Sequence, residues 1–335
     1  MSLENLELRS AALLVIDMQN AFCHEKGTLG VSGLDTQRLS APIKPLDKLI
    51  RRCQQVGIPV LWTVQEHFQI DHSRARKRLA GHTSKRKQVS ALAGSWDEEI
   101  VDELKPLAAV NPSYVIRKHR FGAFFETRLQ MLLRMLGTQT LFVTGTTTNA
   151  CVETTIREAY LRDLDVVAIR DCIAGVRPNW ESTAMEVWNH YLCSLSDSED
   201  VLKWIDTETE PHALGYGHML MQVQDIHASE HFYIDLLGFS VRQAKPLADG
   251  RPFTPFRQGI ALTSMTDSAR KDGGFTRQID HMAFEVNDVR ALTARLKQNK
   301  VAFQQDLHDG PYGLTIYVTD PDGNRIELYQ VDESA

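Results

Sequence analysis

The chain has 335 residues, 43% of them hydrophobic and 24% charged, with a formal net charge of −6. That length exceeds one ordinary core and predicts two domains, while the average composition excludes a disordered or membrane-embedded chain. The longest apolar runs, such as AALLVI, fall far short of the roughly 20 residues that span a bilayer, and the acidic balance argues against nucleic acid as the partner. MSLENLELRS carries no basic-then-apolar leader, so a cytoplasmic protein is expected. Cys23, Cys53, Cys151, Cys172 and Cys193 are odd in number and show neither paired nor zinc-type spacing, which fits a reducing compartment.

In chain order, Ala11 to Ile16 is an apolar run ending in Asp17, a central strand with a carboxylate at its C-terminal end, where ligands gather in open α/β sheets. Pro45 to Val56 has helical periodicity (Leu46, Leu49, Ile50, Cys53) and stops at Gly57, and IPVLWTV follows as a second buried strand. From Asp71 to Gln88 a dense basic run without an apolar stripe breaks the alternation. It reads as a solvated loop, with a lid or subunit edge that attracts an anionic substrate as the alternative. After helix-like DEEIVDEL, the strand SYVIRK ends on Lys118, and HRFGAFFET turns into a helix over Arg128 to Leu136. LFVTG then leads into Cys151, ahead of a helical stripe formed by Val152, Ile156, Ala159 and Tyr160, and VVAI leads to Asp171. A cysteine opening a helix feels unpaired N–H groups, which favour thiolate and predict a pKa below the usual value of about 8.5. The pattern predicts a parallel, doubly wound α/β sheet that brings Asp17, Lys118, Cys151 and Asp171 towards one edge.

The set VIDMQNAF, GSWDEEIVDEL, RKHRFGAFFET and VTGTTTNACVETTIREAY resembles the isochorismatase-like cysteine hydrolases, above all the ureidoacrylate and biuret amidohydrolase branch, over nearly all of residues 1–205. The resemblance implies a catalytic triad of Asp17, Lys118 and Cys151. It also implies a non-proline cis peptide between Thr146 and Thr147, and an oxyanion hole from the backbone N–H groups of Thr147 and Cys151. The chemistry it implies is attack by the thiolate on a C(=O)–N carbon, with one carboxylate serving as base and then acid. Phe121, Phe124 and Phe125 are expected to wall the substrate, and Arg120 or the basic run to hold a carboxylate on it. Members that cleave the vinyl ether of isochorismate lack the cysteine, so amide chemistry is favoured. Nicotinamidases carry an Asp-x-His metal motif that TVQEHFQIDH does not match. Glu66, His67, Asp71 and His72 do not supply it, the two histidines are read as solvated, and no cofactor is expected in this domain.

SDSEDVLKWIDTETEPHALG is polar, acidic and proline-containing and marks a boundary near Thr209, giving domains at 1–208 and 209–335. Beyond it YGHMLMQVQD and helix-like ASEHFYIDLLG are echoed by IDHMAFEVND and VRALTARLKQNK at an offset of 63 residues, an internal repeat. With HFYIDLLGF and DPDGNRIEL, the repeat resembles the vicinal-oxygen-chelate superfamily (glyoxalase, fosfomycin resistance, extradiol dioxygenase) across Gly215 to Val331. The resemblance implies an α+β domain of paired βαβββ modules and a divalent metal held by His218, His281 and Glu327. Ala261 stands where a glyoxalase would supply a fourth carboxylate, so Fe(II) or Mn(II) is favoured. A ring-cleaving dioxygenase is expected ahead of a thiol transferase, a lyase or a metal-free binding module, and its opened product could carry the amide that Cys151 hydrolyses. Both resemblances imply small-molecule substrates and a homo-oligomer, with no nucleic-acid or membrane partner.

Overall fold

The structure is a computed structural model and describes residues 3–70, 88–236, 238–265, 279–319 and 325–331. It divides into two compact units, Met1–Thr207 and Glu208–Ala335. Among the described residues no helix is long and apolar enough to cross a membrane.

In the first unit the strands are β1 (Ala11–Ile16), β2 (Val60–Gln65), β3 (Val115–Lys118), β4 (Thr140–Thr146), β5 (Asp165–Ala174) and β6 (Ser194–Ser196). They lie in the order β3-β2-β1-β4-β5-β6 with every pairing parallel. The winding reverses between β1 and β4, so a crevice opens beyond their carboxyl ends. β1, β2 and β4 are buried along their whole lengths, which is why they read as unbroken apolar runs. Alternate side chains serve opposite layers. Leu13 and Val15 pack with Leu46, Leu49 and Ile50 of the helix Ile43–Gln55, whereas Leu14 and Ile16 pack with Leu129, Leu132 and Ile156 on the other face.

Three sequence expectations change here. DEEIVDEL is not a helix: a short 3₁₀ turn, Trp96–Glu98, is followed by turns as far as Leu104. Its acids are held by distant partners instead, because Asp97 accepts from Thr28 N (2.9 Å), Thr28 Oγ1 (2.7 Å) and Ala91 N (2.7 Å). The acidic stretch before the boundary is mostly the helix Ser198–Thr209, whose Val201, Leu202, Trp204 and Ile205 are buried in the first unit's core. Asp171 does not join the other strand-end residues. It accepts from Ser198 N at 2.8 Å and from Ser198 Oγ at 2.5 Å, and so anchors the start of that helix. Residues 71–87, which carry the basic run with Asp71 and His72, lie outside the described residues.

The second unit holds one seven-stranded sheet in the order β11-β12-β13-β10-β7-β9-β8. The strands are β7 (Ala213–Val223), β8 (Thr254–Pro255), β9 (Ile260–Ser264), β10 (Ile279–Val286), β11 (Ala302–Asp309), β12 (Gly313–Thr319) and β13 (Arg325–Val331). β7 with β8 and β9, and β10 with β11 to β13, form two modules joined through the antiparallel pair β7–β10. The repeat extends to the helix starts: Asp225 accepts from Ala228 N at 3.0 Å, and Asp288, 63 residues later, accepts from Ala291 N at 2.9 Å. Val289 and Leu292 of the helix Val289–Gln298 pack with Val286, Ile316, Val318 and Leu328 of the sheet to form the core.

Candidate functional site

Asp17, Lys118 and Cys151 meet at the crevice between β1 and β4. Asp17 and Lys118 are fully buried and Cys151 is 5% exposed. Asp17 follows β1 in the left-handed region, at φ +50°, a conformation that costs a residue with a side chain about 1 kcal/mol. It is pinned there from several sides. Its N–H donates to Thr63 O at 3.1 Å, and its carbonyl accepts from Gln19 N at 2.8 Å and Thr146 Oγ1 at 3.1 Å. Its Oδ1 accepts from Thr63 Oγ1 at 2.6 Å. Gly145, at φ +109°, has its Cα against β1, and a Cβ there would lie 2.0 Å from Ile16 O, so only glycine lets β4 run this close to Asp17.

Lys118, at the end of β3, places Nζ 2.7 Å from Asp17 Oδ2 and donates to Gln65 Oε1 at 2.7 Å and Arg120 O at 3.1 Å. Burial alone would lower its pKa, but the Asp17 charge and the neighbouring Cys151 sulfur outweigh it and leave the ammonium's pKa raised. Cys151 lies in a single wide helical turn, Thr148–Val152, that leads into the helix Glu153–Tyr160. Its sulfur is within hydrogen-bonding reach of both Asp17 and Lys118. The expected low pKa is corrected: burial first, and the Asp17 charge second, outweigh Lys118 and push the thiol up to about 12. On that balance the resting group is a neutral thiol.

The peptide between Thr146 and Thr147 is cis, and Thr147 follows the last residue of β4. Of the aromatic trio, Phe124 is buried in the same apolar layer as Cys151 with Arg162 stacked 4.5 Å above its ring, while Phe121 and Phe125 are exposed. Arg120 is exposed on the loop after β3, its Nη1 donating to His119 O at 2.6 Å. His67 is not solvated, contrary to expectation. It is half-buried, with Nδ1 2.7 Å from Ser90 O and Nε2 3.2 Å from Gln65 Nε2. Gln65 thus bridges Lys118 to His67. Neither Gln65 nor Thr63 was singled out in the sequence, although two buried polar residues spaced by two at the end of an apolar strand are a legible signal.

In the second unit His218 on β7, His281 on β10 and Glu327 on β13 are buried, and one ligand atom from each lies within 4.8 Å of the others. Glu327 Oε2 stands 2.6 Å from His281 Nε2 and 3.5 Å from His218 Nε2. Neither ring nitrogen of His218 has a hydrogen-bond partner among the described residues. Most buried side-chain nitrogens in folded proteins have a partner, and this donor set fits a divalent ion. The register accounts for the missing carboxylate. Ala283, two residues after His281, pairs with Glu327, and Leu220, two residues after His218, pairs with Ala261. Ala261 is therefore the pseudo-symmetric counterpart of Glu327. Phe253, Tyr312 and Tyr329 pack around His218, with ring centroids 5.4 to 6.2 Å away.

The model of the isochorismatase domain matches residues 11–200, more than half of the chain. The chain belongs to the isochorismatase family. Within it, this hydrolase is 30% identical over 226 residues to the ureidoacrylate amidohydrolase RutB of Yersinia enterocolitica, across 64% of this chain and 93% of the relative. It is 31% identical over 181 residues to that of Methylorubrum extorquens, across 50% and 71%. The first unit is thus an amidohydrolase domain of the cysteine hydrolase kind. A crystal structure of a cysteine hydrolase from Pseudomonas syringae shares the fold at a TM-score of 0.51 and 21% identity, covering 61% of this chain and 95% of that one. Residues 215–328 match the model of the glyoxalase, bleomycin resistance protein and dioxygenase superfamily, so the hydrolase carries a vicinal-oxygen-chelate domain behind its amidohydrolase domain.

Proposed function

We propose that the first unit hydrolyses the C–N bond of a small linear amide or ureide through a thioester on Cys151, and that His218, His281 and Glu327 hold Fe(II) or Mn(II) in the second. The observation that carries the first reading is the buried contact of Asp17, Lys118 and Cys151 beside the crevice. Because the thiol rests neutral, its proton passes to Asp17 as the substrate arrives, and the Lys118 ammonium holds the negative sulfur during attack. The S–C bond forms on the carbonyl carbon while the backbone N–H groups of Thr147 and Cys151 hold the oxyanion. Asp17 returns its proton to the departing nitrogen and the C–N bond breaks. Asp17 next takes a proton from water, which attacks the thioester, and the thiol is restored. The names of the relatives support a carbamoyl or ureido group in the substrate.

In the second unit a bound divalent ion would supply Lewis-acid polarisation of two adjacent substrate oxygens. Phe253, Tyr312 and Tyr329 exclude water from that side of His218. We infer that with Fe(II) held by His218, His281 and Glu327 this unit would open an oxygen-rich or nitrogen-bearing ring, a ring bond breaking and both atoms of O2 entering a product that would carry the amide the first unit hydrolyses. The three-residue donor set without a carboxylate at Ala261 supports this over a four-ligand glyoxalase.

The test measures ammonia release across a panel of amides and ureides, and oxygen uptake on nitrogen-bearing rings, in wild type, Cys151→Ala and His281→Ala. Cys151→Ala is expected to lose ammonia release, keep oxygen uptake and accumulate an amide, and His281→Ala to lose both signals on the ring. Full amidase activity in Cys151→Ala overturns the first reading. Independent fates for the two substrates overturn the sequence.

A further inference from the structure

The two histidines of the second unit are not equivalent, and the difference lies one residue before each. β7 and β10 pair antiparallel with three register shifts, one on β10 and two on β7. On β10 the step from Ile279 to His281 spans two residues where β7 advances by one, so Asp280 is the extra residue of a bulge. On β7 the step from His218 to Tyr216 is likewise matched by one on β10, and Gly217 is the extra residue there. Asp280 and Gly217 are separated by 63 positions, the offset of the repeat, so the same bulge recurs in both modules with different residues in it.

Neighbours in a regular strand point to opposite faces, and a bulge re-aims the inserted side chain. Here it brings the Asp280 carboxylate beside the ring of the next residue. Asp280 Oδ1 lies 2.8 Å from His281 Nδ1 and accepts from Arg325 Nη1 at 2.7 Å, while Oδ2 accepts from Gln222 Nε2. Arg325 is itself fixed, with its guanidinium 4.0 Å above the Tyr317 ring. The carboxylate is thereby held from β7 and β13, the strands on either side of β10. At the matching place on β7 no carboxylate fits: a Cβ on Gly217 would meet Tyr329 Oη at 2.5 Å and Cε1 at 2.7 Å. His218 Nδ1 accordingly has no hydrogen-bond partner among the described residues.

We propose that Asp280 is a positioning residue that fixes the His281 ring with its proton on Nδ1 and Nε2 turned to the ion, so that the site is built from one pre-set and one unset histidine. The inference rests on the reading that His218, His281 and Glu327 bind a divalent ion. Such carboxylate partners orient a ligating imidazole and raise its basicity, and their loss costs about 10- to 100-fold in metal affinity.

The test uses the full chain with Zn(II) as probe, which binds mixed nitrogen and oxygen donors tightly. It combines the dissociation constant from chelator competition with the low-field Nδ1–H proton signal of His281, assigned by its absence in His281→Ala and recorded with and without Zn(II). Asp280→Ala is expected to weaken Zn(II) binding about 10- to 100-fold and to abolish the slow-exchanging signal. Asp280→Asn keeps an accepting oxygen, and is expected to retain the signal and weaken binding less than ten-fold; it carries the test if the alanine variant does not fold. Gly217→Ala clashes with Tyr329, yet should leave the His281 signal in place. An Asp280→Ala protein with wild-type affinity and an unchanged signal overturns the proposal, as does an Asp280→Asn protein that loses the signal while staying folded. A wild type that takes up no Zn(II) removes the metal reading instead, and the signal in the metal-free chain then decides for or against Asp280.

Discussion

Cys151 combines the chemistry of a nucleophile with a resting state that holds its proton. The Asp17 charge is the second cause of the raised thiol pKa, after burial, so removing it must lower that pKa even as it removes the base. Asp17→Asn is therefore expected to react with iodoacetamide at pH 8 several-fold faster than wild type, while its turnover falls about 10²- to 10⁴-fold. In wild type the alkylation rate should keep climbing through pH 9 and 10, since a thiol at about 12 does not finish titrating there. A plateau near pH 8, or slower alkylation of Asp17→Asn, counts against a neutral resting thiol. At this scale the string was legible where a polar residue closed an apolar run, as Asp17 follows β1 and Lys118 ends β3. Thr63 and Gln65 were not picked out because their role depends on which strand lies beside β2, and the parallel neighbour β1 is 46 residues away in the chain.

Strands and helices explain why the cysteine turn keeps its shape. Glu181, in the helix Pro178–Tyr191, accepts from Gly175 N at 2.6 Å and Thr148 Oγ1 at 3.2 Å, and its other oxygen is 2.6 Å from Arg38 Nη2. One carboxylate thus ties the end of β5 and the helix after it to the first residue of the turn that carries Cys151. Glu181→Ala leaves the half-buried Arg38 without its carboxylate and frees Thr148. It is expected to cost about 2–3 kcal/mol of stability and to lower kcat more than it raises KM. Urea unfolding and steady-state kinetics read the two effects, and an unchanged kcat would mean that the turn holds its shape without Glu181. None of this was visible in the sequence, where Glu181 is one acidic residue in a helix. DEEIVDEL misled for a related reason: its helix-like spacing was real, but the Asp97 carboxylate, holding Thr28 and Ala91, tied the chain down in another conformation. Repeats were easier, because Asp225 and Asp288 recur at the same offset as the histidines they follow.

Across the molecule, ionisable side chains set how the first unit responds to alkali. All five cysteines lie in it, and burial, the leading cause each time, raises every one above the ordinary thiol value: Cys23, Cys53 and Cys151 to about 12, Cys193 to about 11, and Cys172 in the same direction. A folded pKa above the unfolded one contributes stability that is complete below about pH 9 and is lost as pH rises towards the folded value. At pH 10 each buried thiol should have withdrawn about 1 kcal/mol. The urea midpoint of the first unit is therefore expected to fall between pH 8 and pH 10, and Cys53→Ala to fall less steeply. Equal slopes in the two proteins would show that the buried thiols do not set this response.

The same seclusion makes the chain a convenient host for a reporter. Since the second unit contains no cysteine, and four of the five native thiols are buried with only Cys193 half-buried, a cysteine introduced on an exposed position such as Gln243 or Lys300 would take up a maleimide dye ahead of them. Events in the vicinal-oxygen-chelate domain could then be followed by fluorescence without first stripping the hydrolase of its nucleophile.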